Sequence, residues 1–290
     1  MVLFLNTFQE KLKLVSNRNQ SLLCVGLDID LSLLPPVDPL EFCKEIIDAT
    51  SDFVCCYKPN LAFFESMGLA GWRLLENIVK IIPSGIPIIG DAKRGDIGST
   101  AEAYAKALFE VFGFDAVTVN PYMGGDSLEP FLSYKNKGIF ILCKTSNKGS
   151  KDLQDLVTET GKPVYVVVAE HSKRWNSNGN VGLVVGATYS EELKIVRDCC
   201  PYMPILIPGV GAQGGSLSAA VEFGTDGLGR NAIINSSRKI LYGSSGDDFG
   251  NQAKIAAKSV RDEINSILTM HGWHWDQAGT ALHDDTRLPK

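Results

Sequence analysis

The chain has 290 residues, enough to bury a substantial core, and a formal net charge of −5 with acidic and basic residues interspersed. That balance leaves no footprint for nucleic acid and no basic patch for a membrane surface, so an anionic ligand has to be held by a few local groups. The seven cysteines show no C-x-x-C spacing, the start shows no basic segment leading into an apolar one, and no apolar run approaches the roughly 18 residues of a membrane span, which together predict a soluble cytoplasmic chain with reduced thiols.

In chain order, Phe4, Phe8, Leu12 and Val15 recur at helical spacing and predict an N-terminal helix over about residues 1–20. A first strand, Leu22–Leu27, ends at Asp28, and a helix follows from about Pro39 to Thr50. The second strand, Phe53–Tyr57, ends at Lys58-Pro59-Asn60. A helix through Trp72, Leu75, Ile78 and Val79 leads to a third strand over Ile86–Ile89. Ser99 with Glu102 three residues on has the form of a capping box for the next helix, with Ala101, Tyr104, Ala105, Leu108 and Phe112 on its apolar side. The fourth strand is Ala116–Val119, and the fifth runs from Gly138 to Cys143 and opens into Lys144-Thr145-Ser146-Asn147.

Val164–Val168 has strand propensity, yet Val164, Val168, His171 and Trp175 fall at helical spacing, and a ninth strand would spoil a closed eight-stranded barrel. It is read as a helix. The sixth strand is Gly182–Gly186, followed by a helix through Leu193 and Val196. The seventh is Ile205–Ile207 and the eighth Ala232–Ile234. A long amphipathic helix over 248–270 carries Ile255, Val260, Ile264 and Ile267 on its apolar side, and a tail covers about 272–290. Strand and helix alternate every 25–35 residues or so, as in a parallel β/α fold. Eight strands predict a (β/α)8 TIM barrel, with residues 1–290 as one domain.

Function in such a barrel sits at the C-terminal ends of the strands. Asp28, Lys58, Asp91, Lys93, Asp96, Gln213 and Arg238 all fall there. The densest stretch is Gly90-Asp91-Ala92-Lys93-Arg94-Gly95-Asp96-Ile97-Gly98-Ser99-Thr100. Charged groups at the mouth of a buried strand are costly unless they pair with one another or with a ligand. Asp91 and Lys93, two apart on extended chain, point the same way. A structural ion-pair network is the plain alternative, and Lys58 or Asp28 alone could be a loop residue. Thr145 and Ser146 by themselves are ordinary loop hydroxyls. After the seventh strand, Gly209, Gly211 and Gly214 allow backbone N–H groups to turn toward an anion, with Gln213 as a side-chain donor and Arg238 as a fork suited to phosphate. His171, His271, His274 and His283 form no cluster at the barrel mouth, and an ammonium already stands between the two aspartates, so neither metal nor cofactor is expected.

The run Asp91-Ala92-Lys93-Arg94-Gly95-Asp96-Ile97-Gly98-Ser99-Thr100 resembles the active-site signature of the orotidine 5'-phosphate decarboxylase family, in its longer bacterial-type branch, and agreement extends from about Leu23 to Tyr242. The resemblance implies cofactor-free decarboxylation of orotidine 5'-phosphate to UMP and CO2, the last step of de novo UMP synthesis, through a ring carbanion protonated by Lys93. It implies that Asp28 and Lys58 contact the ribose, that Asp91, Lys93 and Asp96 form the charged network, and that Asp96 and Thr100 reach the neighbouring site of a homodimer. It further implies that Ser146, or Thr145, reads the pyrimidine and that Gln213 and Arg238 hold the phosphate. Residues around 147–160 and 209–216 are expected as mobile covers. The rival readings are a metal-assisted phosphosugar enzyme on the same barrel and a non-catalytic nucleotide-binding scaffold.

Overall fold

Runs such as Val181–Val185 and Ile205–Ile207 are apolar throughout, too short for a stable helix and bounded by turn residues, which favours strands buried on both faces. The computed structural model describes residues 7–211 and 214–275. Its strands are β1 (Leu23–Leu27), β2 (Cys56–Pro59), β3 (Ile89–Arg94), β4 (Ala116–Val119), β5 (Gly138–Lys144), β6 (Val181–Val185), β7 (Ile205–Ile207) and β8 (Ala232–Ser236). The helices are α1 (Phe8–Asn19), α2 (Pro39–Thr50), α3 (Leu61–Ser66), α4 (Leu69–Ile81), α5 (Gly98–Lys106), α6 (Glu129–Leu132), α7 (Val164–Trp175), α8 (Ser190–Cys199), α9 (Leu217–Gly224), α10 (Arg238–Leu241) and α11 (Phe249–Met270).

Among the described residues the eight strands pair in parallel in the order β2-β1-β8-β7-β6-β5-β4-β3. Isolated bridges Tyr57↔Ile88 and Asn60↔Asp91 join β2 to β3 and nearly close the ring, surrounded by helices. This is the expected TIM barrel. One apolar cluster fills its interior (Cys24, Cys56, Ile89, Phe140, Val184, Leu206 and Ile233 among others), while a larger one lies between barrel and helices.

The first helix acts as a plug. Thr7 and Glu10 form a reciprocal capping box at its start, and Phe8, Leu12 and Val15 are buried. Phe8 enters the interior cluster and meets Phe140 edge-on at 5.6 Å. It lies over Gly138 and near Ala116, the first residues of β5 and β4, so the plug closes the N-terminal end. Phe4, expected on the same face, lies outside the described residues. The tail begins by docking, since Trp275 Nε1 donates to Asn265 Oδ1 at 2.9 Å and Trp273 packs over Gly229, while 276–290 lies outside the described residues.

Several expectations need correction. The second strand starts at Cys56 instead of Phe53, and the third spans Ile89–Arg94 instead of Ile86–Ile89, so Lys58, Asp91 and Lys93 lie within strands. Apolar content marks where a strand is buried, whereas pairing carries it onward into the charged residues. The Ser99–Glu102 capping box is absent. The helix starts two residues earlier, with Ile97 at the N-cap and no side-chain cap bond, and Tyr104 is exposed. Val164–Trp175 is a helix as read, but its buried face is Tyr165, Ala169 and Ser172, because its contact is with Cys143 and the barrel wall. Ile255 is exposed, and α11 buries Ala253, Ala257, Val260, Ile264 and Ile267 instead.

The plug generates a test. Phe8→Ala should lower the unfolding free energy by about 3–5 kcal/mol through the cavity it opens, read as an earlier urea midpoint with an unchanged slope. A midpoint at the wild-type value would mean that the barrel floor does not depend on this ring.

Candidate active site

At the opposite end of the barrel a cleft of about 610 Å³ opens among the C-terminal ends of the strands. It is built around Asp91. Lys58 Nζ from β2 lies 2.8 Å from Asp91 Oδ2, and Lys93 Nζ lies 2.6 Å from Asp91 Oδ1. Thr118 in β4 donates its hydroxyl to Asp91 Oδ1 at 3.0 Å while accepting the Lys93 backbone N–H at 2.9 Å. Asp28, just past β1, has Oδ1 3.9 Å from Lys58 Nζ.

The two lysines differ in setting. Lys58 is only 3% exposed, whereas the Lys93 side chain is 49% exposed. Burial alone would lower the pKa of Lys58, but Asp91 and Asp28 more than reverse that and raise it above the ordinary lysine value. Burial would raise the Asp91 carboxyl, yet Lys58 and Lys93 outweigh it and hold the group well below the usual carboxylate range. An ionised carboxylate is therefore fixed at the strand mouth, with the half-exposed Lys93 ammonium between it and solvent.

Backbone geometry puts Lys93 there. The β3–β4 register shifts between Gly90 and Arg94, and Lys93 adopts φ +48°. A non-glycine residue in the left-handed region is uncommon, and a bulge of this kind re-aims a side chain. The neighbouring Arg94 is anchored by Glu65 of α3 and by the Ala92 carbonyl. Two glycines allow close approach at the rim. A Cβ at Gly26 would collide with the Ser237 hydroxyl, and one at Gly186 would come within 2.7 Å of Ser146 Cβ.

Of the residues singled out from the sequence, Asp28, Lys58, Asp91, Lys93, Thr145, Ser146, Gly209 and Arg238 line this one cleft. Asp96 and Thr100 do not. The Asp96 carboxylate accepts the Ile97 N–H at 2.8 Å, and Thr100 is exposed on α5. Gly211 and Gly214 are turned inward: their N–H groups donate to Gly215 O at 3.0 Å and Gly211 O at 2.9 Å. Gln213 lies outside the described residues. Around 147–160, the segment expected as a cover is tied back to β5, with Lys144 Nζ 2.5 Å from Asp155 Oδ1 and Gln154 bonded to both the N–H and the hydroxyl of Thr145.

Sequence reasoning missed Thr118, Lys144, Gln154 and Tyr242. Thr118 had a signal, a lone hydroxyl inside the apolar run Ala116–Val119. The others have none, because their partners are far away in the chain or follow a loop of irregular path. Among the described residues, no group of three or more His, Cys, Asp and Glu side chains is arranged to hold a metal ion, and no helix is long and apolar enough to cross a membrane.

Residues 21–247 match the Orotidine 5'-phosphate decarboxylase / HUMPS family. The chain is 55% identical over 262 residues to the orotidine 5'-phosphate decarboxylase of Dehalococcoides mccartyi, covering 89% of this chain and 97% of the relative. It is 52% identical over 269 residues to that of Roseiflexus sp., covering 90% and 98%. Among solved structures, the OMP decarboxylase of Leishmania donovani superposes with a TM-score of 0.80 at 43% identity, covering 90% of this chain and 98% of that one.

The shared carboxylate makes a pH-dependent prediction. Because the folded pKa of Asp91 is depressed, its contribution to stability is fully present above the unfolded value of about 4 and is lost as pH falls through the folded value. Asp91→Asn leaves Lys58 buried with its main counter-charge gone and should cost about 3–5 kcal/mol at pH 7. In urea unfolding the gap to wild type should narrow below about pH 4. A gap that stays constant from pH 7 to pH 3 would show that the ion cluster is not what the substitution disturbs.

Proposed function

The chain belongs to the orotidine 5'-phosphate decarboxylase family, and on that premise we propose that it converts orotidine 5'-phosphate to UMP and CO2 without a cofactor, as the last step of de novo UMP synthesis. The observation that carries the mechanism is the Asp91 carboxylate shared by Lys58 and Lys93 at the cleft. A substrate carboxylate placed beside Asp91 meets like charge. The bond from ring carbon to carboxylate breaks, CO2 departs neutral, and the electron pair stays on the ring carbon. The Lys93 ammonium faces that developing charge, transfers one proton to the carbon and is reprotonated from solvent. Only the part of this attraction that grows toward the transition state accelerates the reaction.

Asp28 and Lys58 take the ribose. Ser146 reads the pyrimidine, a reading supported by Thr145, whose hydroxyl accepts from Gln154 at 2.8 Å and donates to Asn147 Oδ1 at 2.7 Å. Arg238 and Gln213 grip the phosphate at the loop of Gly209, Gly211 and Gly214. In our reading the residues 1–290 act as one barrel domain in a cytoplasmic homodimer, with Asp96 and Thr100 completing the neighbour's site. The exposure of Thr100 and the position of Asp96 away from the cleft of its own chain support this arrangement.

Wild type should consume orotidine 5'-phosphate, followed by its loss of ultraviolet absorbance, and Lys93→Ala should be slower by at least about a thousandfold while still binding UMP. Wild type that binds the nucleotide without turning it over would sink the reaction assignment. Mixing Lys93→Ala with Asp96→Asn tests the shared site. If Asp96 works across the dimer, exchange of subunits gives one complete site per mixed dimer and restores about a quarter of wild-type activity. A mixture as inactive as its two parents would place Asp96 within its own chain's site, and an Asp96→Asn parent as active as wild type would place it outside any.

A further inference from the structure

Tyr242 directly follows α10, the short helix that begins with Arg238, and its N–H donates to the Arg238 carbonyl at 3.0 Å. Its hydroxyl reaches across to the loop after β1. There it donates to the Asp28 carbonyl at 2.8 Å and accepts the Asp30 N–H at 2.8 Å. One oxygen thus holds the backbone on both sides of Ile29. The ring is placed independently of that oxygen, stacked on Phe42 with centroids 6.1 Å apart and planes at 12°. Burial, chiefly, pushes the phenol up to about 12, so it remains a donor at working pH.

Asp28 needs such support. Its Oδ1 is buried without a hydrogen-bond partner and stands 3.9 Å from Lys58 Nζ. No tight side-chain clamp sets that oxygen, so the backbone at Asp28 does. The same backbone is bolted to the helix turn that carries Arg238, and Tyr242, Asp28 and Arg238 all line one cleft.

We propose that Tyr242 is a positioning residue that couples the anion grip of Arg238 to the Asp28 carboxylate, so that a nucleotide's phosphate held at α10 also fixes the acid on its ribose side. This rests on the assignment of the cleft to a nucleotide made above. The coupling is mechanical: when α10 is drawn onto the phosphate, the hydroxyl carries the loop after β1 with it.

The test is a pair of double-mutant cycles with UMP affinity, measured by calorimetry, as the readout. Tyr242→Phe deletes one oxygen and keeps the stack on Phe42. It should weaken UMP binding about tenfold and lower kcat/KM for orotidine 5'-phosphate at least as much, with a urea midpoint near wild type. In the Asp28→Asn and Arg238→Ala backgrounds the same change should cost about twofold or less, because the coupled partner is already gone. UMP affinity unchanged by Tyr242→Phe, or a full tenfold loss persisting in either background, overturns the proposal. A lowered midpoint with additive affinities would make the hydroxyl a structural bond only, and also overturns it. If wild type fails to decarboxylate while the UMP cycles still show coupling, the reaction assignment falls and the coupling stands. A wild type that does not bind UMP removes both.

Discussion

The cleft depends on one carboxylate divided between two ammonium groups. Either lysine alone would leave one oxygen of Asp91 without a charged donor. With Lys58 on one oxygen, and Lys93 and Thr118 on the other, each oxygen is met by a charged donor. Replacing water around a buried ion pair is expensive, and such pairs seldom add stability over apolar packing. A barrel built only for stability gains nothing from this cluster. Its value lies in fixing opposite charges in a known geometry before any ligand arrives.

That geometry requires the barrel to deviate from regular structure at one point. Strands β3 and β4 lose register between Gly90 and Arg94, and Lys93 takes a left-handed backbone conformation that costs about 1–2 kcal/mol for a residue with a side chain. Regular pleating would give Lys93 and Asp91 the same face but leave the ammonium close to the barrel wall. The bulge turns it outward, so that it reaches back to Asp91 while nearly half its side chain meets solvent. Lys58, by contrast, sits in regular strand and is sealed in. One lysine is sealed against the carboxylate, and the other is open to the cleft. The strained residue is the one with a task in the reaction proposed here.

Much of this was legible from sequence because the period of the fold is long and repeated. Ala116–Val119, Ile205–Ile207 and Pro39–Thr50 have the predicted bounds, since apolar runs and turn residues coincide there. The charged stretch was legible in part and for the opposite reason: ionisable groups beside a buried strand must pair, and Asp91 and Lys93 do so at the cleft, whereas Asp96 turns to its own loop. Strand ends failed where pairing, not composition, sets them, as at Lys58 and Lys93. Faces failed where tertiary contact sets them, as at α7 and at Ile255. Contacts that span the chain were out of reach. No pattern near Tyr242 announces that its hydroxyl bonds residues 28 and 30, and nothing near Gln154 announces its hold on Thr145.

On the proposed reading, an anionic nucleotide must enter a protein of net charge −5. Within one chain the cluster of Asp28, Asp91, Lys58 and Lys93 is formally neutral, and a neighbour's Asp96 would make it negative. The attraction therefore has to come from the far end of the ligand, where Arg238 stands. Phosphate binding there offsets the repulsion felt by the substrate carboxylate at Asp91, and loss of CO2 relieves that repulsion while the phosphate contact is unchanged. A site with its cation at the reacting end and no grip at the other would hold the substrate carboxylate in its ground state and gain little rate. Distance between the grip and the reacting bond is thus a requirement of the mechanism, and the two must be connected rigidly through the protein. The rim of the barrel, where β1, β8 and α10 meet around Tyr242, links the grip to Asp28 and, through Asp28 beside Lys58, toward the reacting end.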